Sequence, residues 1–383
     1  MNRNLILILL LILCVSLVVT GCGSPGKKND LKAEITAKGE TKIIKNPSAP
    51  LYGELKLELE ETLTVGHGKD DFLSGAITGF DVDKNGNMFC LDVKENCFKV
   101  FDSKGKFIRR VGQSGMGPTD LYQPTMLQVD LSGAIYIYDN SERMRVFNTG
   151  GELVKIFPVK YFIKSVAPDG NFICRRSAGS FKDLEHKNVF SKVKADGTVV
   201  KEYISKIIRN QVRDPFSSGK LIFVCEFSHD IYCYLSKSGN LYVGDSSEYS
   251  IYVYDKYDNL IKEIRRDEKP VPISNKEKVQ AVDDFCRPDE DPGIKSKYRQ
   301  LIPDFRPFFS RFLVDDRERL YVFKGNSMNS QEPADVDVFD SSGRYSYRTR
   351  MPGVPLLIHN GYLYFSKEES EDCVVKKIKI KNL

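Results

Sequence analysis

The chain has 383 residues, a formal net charge of +5 and 28% charged side chains, with many Phe and Tyr and no Trp. So small a positive excess gives no support to a nucleic-acid binder, for which a clustered basic face is expected. The length exceeds that of an ordinary single-core domain, so several domains or a repeat architecture must account for it.

Residues 1–21 read as a targeting segment. Arg3 supplies the positive start, Leu5 to Leu13 is almost wholly aliphatic, and apolar character continues to Val19. That run is shorter than the roughly twenty residues a spanning helix needs. Val19-Thr20-Gly21-Cys22 follows, and small residues before a cleavage point mark a signal peptide. This ending resembles the lipobox of bacterial lipoproteins. The resemblance implies that Cys22 is the lipid attachment site and the mature N-terminus. It also implies anchoring at the bacterial cell envelope, in the outer membrane if the organism has one, because Gly23 and not Asp follows the cysteine. An uncleaved N-terminal anchor and an ordinary secretory signal are the alternatives. Residues 22–50 are polar, rich in Lys, Gly, Ser and Pro, and without apolar periodicity; they read as a flexible tether.

From residue 51 a unit recurs: strand, turn with Gly, strand, hairpin, strand, turn, strand. Blade one is predicted as Ile77–Val82, Met88–Asp92, Phe98–Asp102 and Phe107–Val111. Blade two follows as Met126–Asp130, Ile135–Asp139, Arg145–Asn148 and Leu153–Phe157. Blade three spans Phe162 to Tyr203, blade four Ile231 to Ile264 and blade five Phe312 to Arg350. Blade six opens at Leu356 and ends one strand short, at Ile380. Near the other end, Leu55-Lys56-Leu57-Glu58-Leu59-Glu60 alternates apolar and charged residues, as a half-buried strand does. Its acidic residues complement Lys376, Lys377, Lys379 and Lys381 near the C-terminus. The predicted fold is therefore all-β: a six-bladed β-propeller of four-stranded antiparallel blades over 51–383, its ring closed by the N-terminal strand joining the C-terminal blade.

Gly86-Asn87-Met88-Phe89-Cys90-Leu91-Asp92, with Phe98-Lys99-Val100-Phe101-Asp102 and the turn to Gly105, resembles an NHL repeat. The whole body is similar to bacterial six-bladed propellers of that type, many of them lipoproteins. The main departure from the repeat is an insertion, 266–306. Pro270 and Pro272 break the strand, and Ser274-Asn275-Lys276-Glu277 predicts a capping box with helices over about 275–286 and 295–302. A shorter insertion lies at 205–228.

The chemistry legible in the sequence is thin. Asp81-Val82-Asp83-Lys84-Asn85-Gly86 reads like the start of a calcium loop, but a strand follows it, so an Asx-stabilised turn is expected. Gly112 to Pro118 lacks the following helix of a phosphate loop and reads as an inter-blade connection. His67, His186, His229 and His359 have no motif spacing, and there is no nucleophile elbow. Cys90 and Cys97 fall on one sheet face but diagonally, marginal for a disulfide; two small buried residues are the other reading. No catalytic, cofactor or metal motif is present. The expected function is a membrane-tethered scaffold that binds a protein, glycan or small ligand, with Arg143, Tyr249 and the 266–306 insertion as candidate ligand contacts. The alternative is a metal-dependent, lactonase-like envelope hydrolase or lyase with ligands at the channel mouth.

Overall fold

Each repeat folds as an antiparallel meander because its apolar positions fill both faces of a strand that neighbouring blades bury. In a computed structural model, which describes residues 32–67, 73–74, 77–178, 186–208, 211–213, 220–222, 227–325, 332–369 and 372–383, these meanders form a six-bladed all-β propeller. Cys22 and the signal segment lie outside the described residues. The inner strands of the six blades are Ile77–Val82, Pro124–Val129, Phe162–Val166, Ile231–Leu235, Arg311–Val314 and Leu357–His359. Met88–Asp92 and Cys97–Phe101, central in blade one, are buried at every residue, as strands sandwiched between blades must be.

Two recurring devices fix the blades. In the turns, an Asp carboxylate accepts the amides two and four residues ahead, as Asp83 does from Asn85 and Asn87, both at 2.9 Å. Asp102, Asp130, Asp255, Asp315 and Asp340 do the same. The stretch that reads like a calcium loop is thus an Asx turn. At the opposite edge, Asp92 and Asp139 end the second strands of blades one and two. Asp92 accepts the Ser74 amide at 2.9 Å and Lys99 Nζ at 3.2 Å. Asp139 accepts the Tyr122 amide at 3.0 Å and Arg145 Nη1 at 2.6 Å. Each carboxylate therefore ties an inter-blade connection to its own hairpin. Gly112 to Pro118 belongs to one such connection, held by Leu121 N to Gln113 O at 2.8 Å.

The N-terminal segment closes the ring, but not at the predicted residues. Leu59–Val65 pairs antiparallel with Asp372–Ile380, with Glu60 opposite Lys379 and Glu61 opposite Ile378. Lys376–Glu61 and Lys381–Glu60 ion pairs, at 3.2 and 2.9 Å, border the seam. The closing strand begins later than the alternating run at 55–60 because Val65 is the residue that enters the core, beside Leu73, Ile77 and Tyr364. Glu54 and Leu55 instead pair parallel with the outer strand of blade five, Tyr345–Met351. Leu63 packs under the turn at Gly105, whose φ is +85° and where an added Cβ would stand 2.6 Å from Leu63 Cδ1.

Part of the expected tether is also structured. Glu34–Lys38 and Thr41–Asn46 form a hairpin whose second strand adds parallel to Leu260–Arg266, the outer strand of blade four. The cause is local: Ile44 is buried against Ile264 and Tyr345. Asn46 Nδ2 also donates to Arg265 O and Gly343 O at 3.0 and 2.9 Å while its Oδ1 accepts from Tyr345 N at 2.8 Å. Residues 34–65 thus run along the outer edges of blades four, five and six in turn.

The insertion after blade four carries two helices, α1 (Asn275–Phe285) and α2 (Pro292–Leu301). Ser274 and Glu277 form the predicted capping box. The second helix starts earlier than predicted because Asp291 caps it and Pro292 opens it, a favoured pairing. Val282, Ile294 and Tyr298 pack on Phe227 from the shorter insertion. The two insertions therefore support one another on the same face.

Candidate functional site

Every inner strand runs from an inter-blade connection toward a tight turn, so its first residues lie at one end of the central channel and its last at the other. A cavity of about 470 Å³ occupies this channel, lined among others by Asp81, Gln128, Lys164, Ser165, Tyr234 and Lys237.

At the turn end, Lys237 reaches across from blade four to blade one. Its Nζ donates to both Asp81 oxygens, at 2.6 and 2.7 Å, and to Val129 O at 3.1 Å. Asp81 also accepts the amides of Val82 and Val129, each at 2.8 Å. Gln128 makes the next link, bonding both the carbonyl and the amide of Val166. These side chains replace ladder bonds that inner strands of adjacent blades cannot make with each other. Burial, with Asp81, Asp315 and Glu318 nearby, pushes the Tyr234 hydroxyl well above its usual range, so it remains a proton donor. His359 sits near this end. Burial, and Lys237 among its neighbours, lowers its pKa against the pull of Asp316 and Asp81.

At the opposite end, Lys164 is the extra residue of a β-bulge: Ile163 faces Cys174 and Ser165 faces Ile173, with Lys164 between them unpaired. Bulges re-aim side chains, and this one presents Lys164 to the channel. Arg311 opens the inner strand of blade five, so Lys164 and Arg311 flank the inner strand of blade four. Both side chains are exposed; the partial loss of water inside the channel mouth lowers the pKa of each, and the charges of Arg175 and Arg311 depress Lys164 further, against Cys233 and Asp230. Arg175 has a partner, Asp230, at 2.8 Å.

The predicted ligand contacts do not meet here. Tyr249 is interior: its hydroxyl donates to Asp337 at 2.7 Å, and its ring packs on Phe308, Phe309 and Phe339. Arg266 lies over the same ring and pairs with Asp337 at 2.5 Å. Tyr249 is therefore no surface contact for a ligand, because the 266–309 connection roofs its hairpin end, with Phe308 N donating to Ser246 O at 2.8 Å. Arg143 begins the third strand of blade two, opposite Asp139 and Pro158, and is half-buried away from Tyr249. The histidines are also separate. His229 Nε2 bonds Phe305 O at 2.9 Å at the insertion, whereas His359 lies at the turn end. Among the described residues no three of His, Cys, Asp or Glu stand as a metal-binding group. Cys90 and Cys97 are buried free thiols; burial raises both, Cys97 to about 11.

Lys164, which lines the cavity, was missed, although it leaves a signal. Aligned by their first turns, the blades carry Phe80, Leu127, Lys164, Cys233 and Phe312 at the same repeat position. Lys164 is the charged member of an otherwise apolar set.

A sequence profile of the family described as DUF5128, 6-bladed beta-propeller, matches residues 67–250. Among solved structures, a protein of Bacteroides fragilis NCTC 9343 named as a candidate exported protein is similar at 14% identity and a TM-score of 0.54, over 89% of this chain and 100% of its own. A member of the DUF4221 family from Bacteroides vulgatus ATCC 8482 is similar at 14% identity and a TM-score of 0.51, over 85% and 99%. Virginiamycin B lyase from Staphylococcus aureus aligns at 10% identity and a TM-score of 0.42, over 85% and 99%. No curated protein sequence matches the chain. The profile match and the two Bacteroides structures establish the propeller ring and nothing of its chemistry. Among the described residues no helix is long and apolar enough to cross a membrane.

Proposed function

We propose that this protein is an NHL-type propeller, lipid-anchored through Cys22 at the bacterial envelope, that binds a small ligand in its channel and does no chemistry on it. The observation that carries this reading is the cavity of about 470 Å³ on the propeller axis, within the range of roughly 300–1,000 Å³ typical of small-molecule sites. Its polar groups favour binding over catalysis. Asp81, the channel carboxylate, is held by two amides and Lys237, and the raised Tyr234 hydroxyl is a poor base. The lipobox supports the location, and the name of the Bacteroides fragilis structure agrees with it.

Native mass spectrometry of the full chain, recovered from its own membrane in mild detergent, tests the reading. A one-to-one small-molecule adduct is expected, lost on unfolding and absent from Ser165→Phe, which narrows the channel. No adduct, together with no change in melting temperature on adding envelope extract, overturns it.

A further inference from the structure

The axial cavity is walled by apolar groups from most of the ring. Phe80, Leu127, Val166, Tyr234 and Leu357, on the inner strands of blades one, two, three, four and six, all line it. Its polar groups are already matched to one another. Lys237 Nζ places its three donors on Asp81 Oδ1, Asp81 Oδ2 and Val129 O, at 2.6, 2.7 and 3.1 Å, which exhausts an ammonium group. Asp81 takes two backbone amides besides. Asp130, in the first turn of blade two, accepts the Ser132 and Ala134 amides and the Ser132 hydroxyl, at 2.8, 2.9 and 2.6 Å. Gln128 is closed on Val166. Lys164 stands at the opposite rim, exposed to water, with Nζ 4.7 Å from the centre of the Phe162 ring. Solvent compensates that charge.

One cavity group is left over. Tyr234 is half-buried in the inner strand of blade four, and among the described residues its hydroxyl has no hydrogen-bond partner. Asp81, Asp315 and Glu318 lie near it, but all three are engaged. Asp315 accepts the Arg317 and Arg319 amides, Arg319 Nε and the Tyr321 hydroxyl. Glu318 accepts the side chains of Ser238, Asn240 and Tyr242. Burial keeps the Tyr234 hydroxyl protonated, so the cavity wall carries a donor without an acceptor. A tyrosine hydroxyl withdrawn from bulk water normally meets one.

An occupant complementary to this lining has two properties. It is uncharged, because an ionised group drawn from water between these walls meets no free counter-charge, and its desolvation goes uncompensated. It also carries an acceptor oxygen, which is what the Tyr234 hydroxyl lacks. We propose that the channel selects neutral, largely apolar small molecules bearing a carbonyl or ether oxygen, which accepts from the Tyr234 hydroxyl while the apolar body packs on Phe80, Leu127 and Leu357. This assignment rests on the channel-binding reading and narrows it to an uncharged ligand class. No bond is made or broken.

The test uses the purified full chain in mild detergent and three probes of one shape: 2-acetonaphthone, a neutral ketone, 2-naphthoate, its carboxylate counterpart, and 2-naphthylmethylammonium. Melting temperature is followed against probe concentration at constant ionic strength. The ketone is expected to raise it by about 1–3 °C at saturation, and the two ions to leave it in place. In Tyr234→Phe the ketone should need about three- to tenfold more for its half-maximal rise, the loss of one hydrogen bond. 2-Ethylnaphthalene, which has no acceptor, should act alike on both proteins. Ser165→Phe should abolish the ketone's rise. The inference is overturned if the ketone fails to move wild type, if either ion matches it, if Tyr234→Phe leaves the half-maximal concentration unchanged, or if Ser165→Phe keeps the rise. The mass-spectrometric adduct separates the two readings: an adduct recovered from the native membrane together with any of those failures leaves channel binding intact and removes the neutral ligand class.

Discussion

At the scale of single residues, buried carboxylates hold the connections and hairpins of the blades together. Asp92, Asp139 and Asp337 are fully buried and each gathers a cation with backbone or tyrosine donors. Removing one partner of such a pair strands the other, which costs about 3–5 kcal/mol. Asp139→Ala is therefore expected to lower stability by that amount in urea titration, while Glu60→Ala, at the exposed closing seam, leaves the midpoint in place. Two histidines give a second residue-level expectation. Burial holds His229 and His359 below the usual imidazole value of 6.5. The unfolded chain therefore takes up protons below pH 6.5 that the folded chain refuses, and stability falls as pH drops through the range just under 6.5. A pH series of urea melts should show this slope, reduced in His359→Asn. A slope unchanged in the variant would place its origin elsewhere. These roles are not legible from sequence because an Asp in a strand looks the same whether its cation lies seven residues ahead, as Lys99 does from Asp92, or on another element, as Arg266 does from Asp337.

At the scale of elements, legibility follows range. The strands of the repeats are readable to within a few residues, since their turns and alternation are local. The capping box of α1 is readable for the same reason. The hairpin over 34–46 is not: its second strand has a partner 220 residues along, Ile44 opposite Ile264, and what selects it is the vacant outer edge of blade four. That edge would otherwise invite pairing with another chain. The added outermost strand, Glu34–Lys38, is exposed throughout and bounded by charge. Asn46→Ala strands Arg265 O, Gly343 O and Tyr345 N, and is expected to cost about 1–3 kcal/mol by thermal or urea unfolding. Deleting 32–47 should leave a folded ring, closed by 59–65, that self-associates more strongly in sedimentation velocity. A deletion variant as stable and as monomeric as the intact chain would reduce the hairpin to an ornament of the tether.

At the scale of the whole molecule, six sequence repeats define a ring, but the ring alone brings distant residues to one axis. Asp81 and Lys237 come from blades one and four, and Gln128 and Val166 from blades two and three; no spacing rule connects either pair. What the sequence does show of this site is a single irregularity, Lys164 among apolar equivalents, which acquires meaning only when the bulge turns it into the channel. The same geometry makes the Lys237–Asp81 bridge a brace across the diameter of the disc. It joins a turn of blade four to the strand carrying Asp81, and through the Val129 amide and carbonyl to blade two. A brace of this kind resists the blades' relative motion more than it adds net stability, because Lys237 remains partly open to water. Lys237→Met should therefore lower the melting temperature only slightly while accelerating amide hydrogen exchange along the inner strands of blades one, two and four together. The outer strands, held by the belt at 34–65, should exchange as before. If acceleration is confined to the Ser236–Gly239 turn, the bridge is a local contact, and the rigidity of the channel resides in the blade-to-blade packing alone.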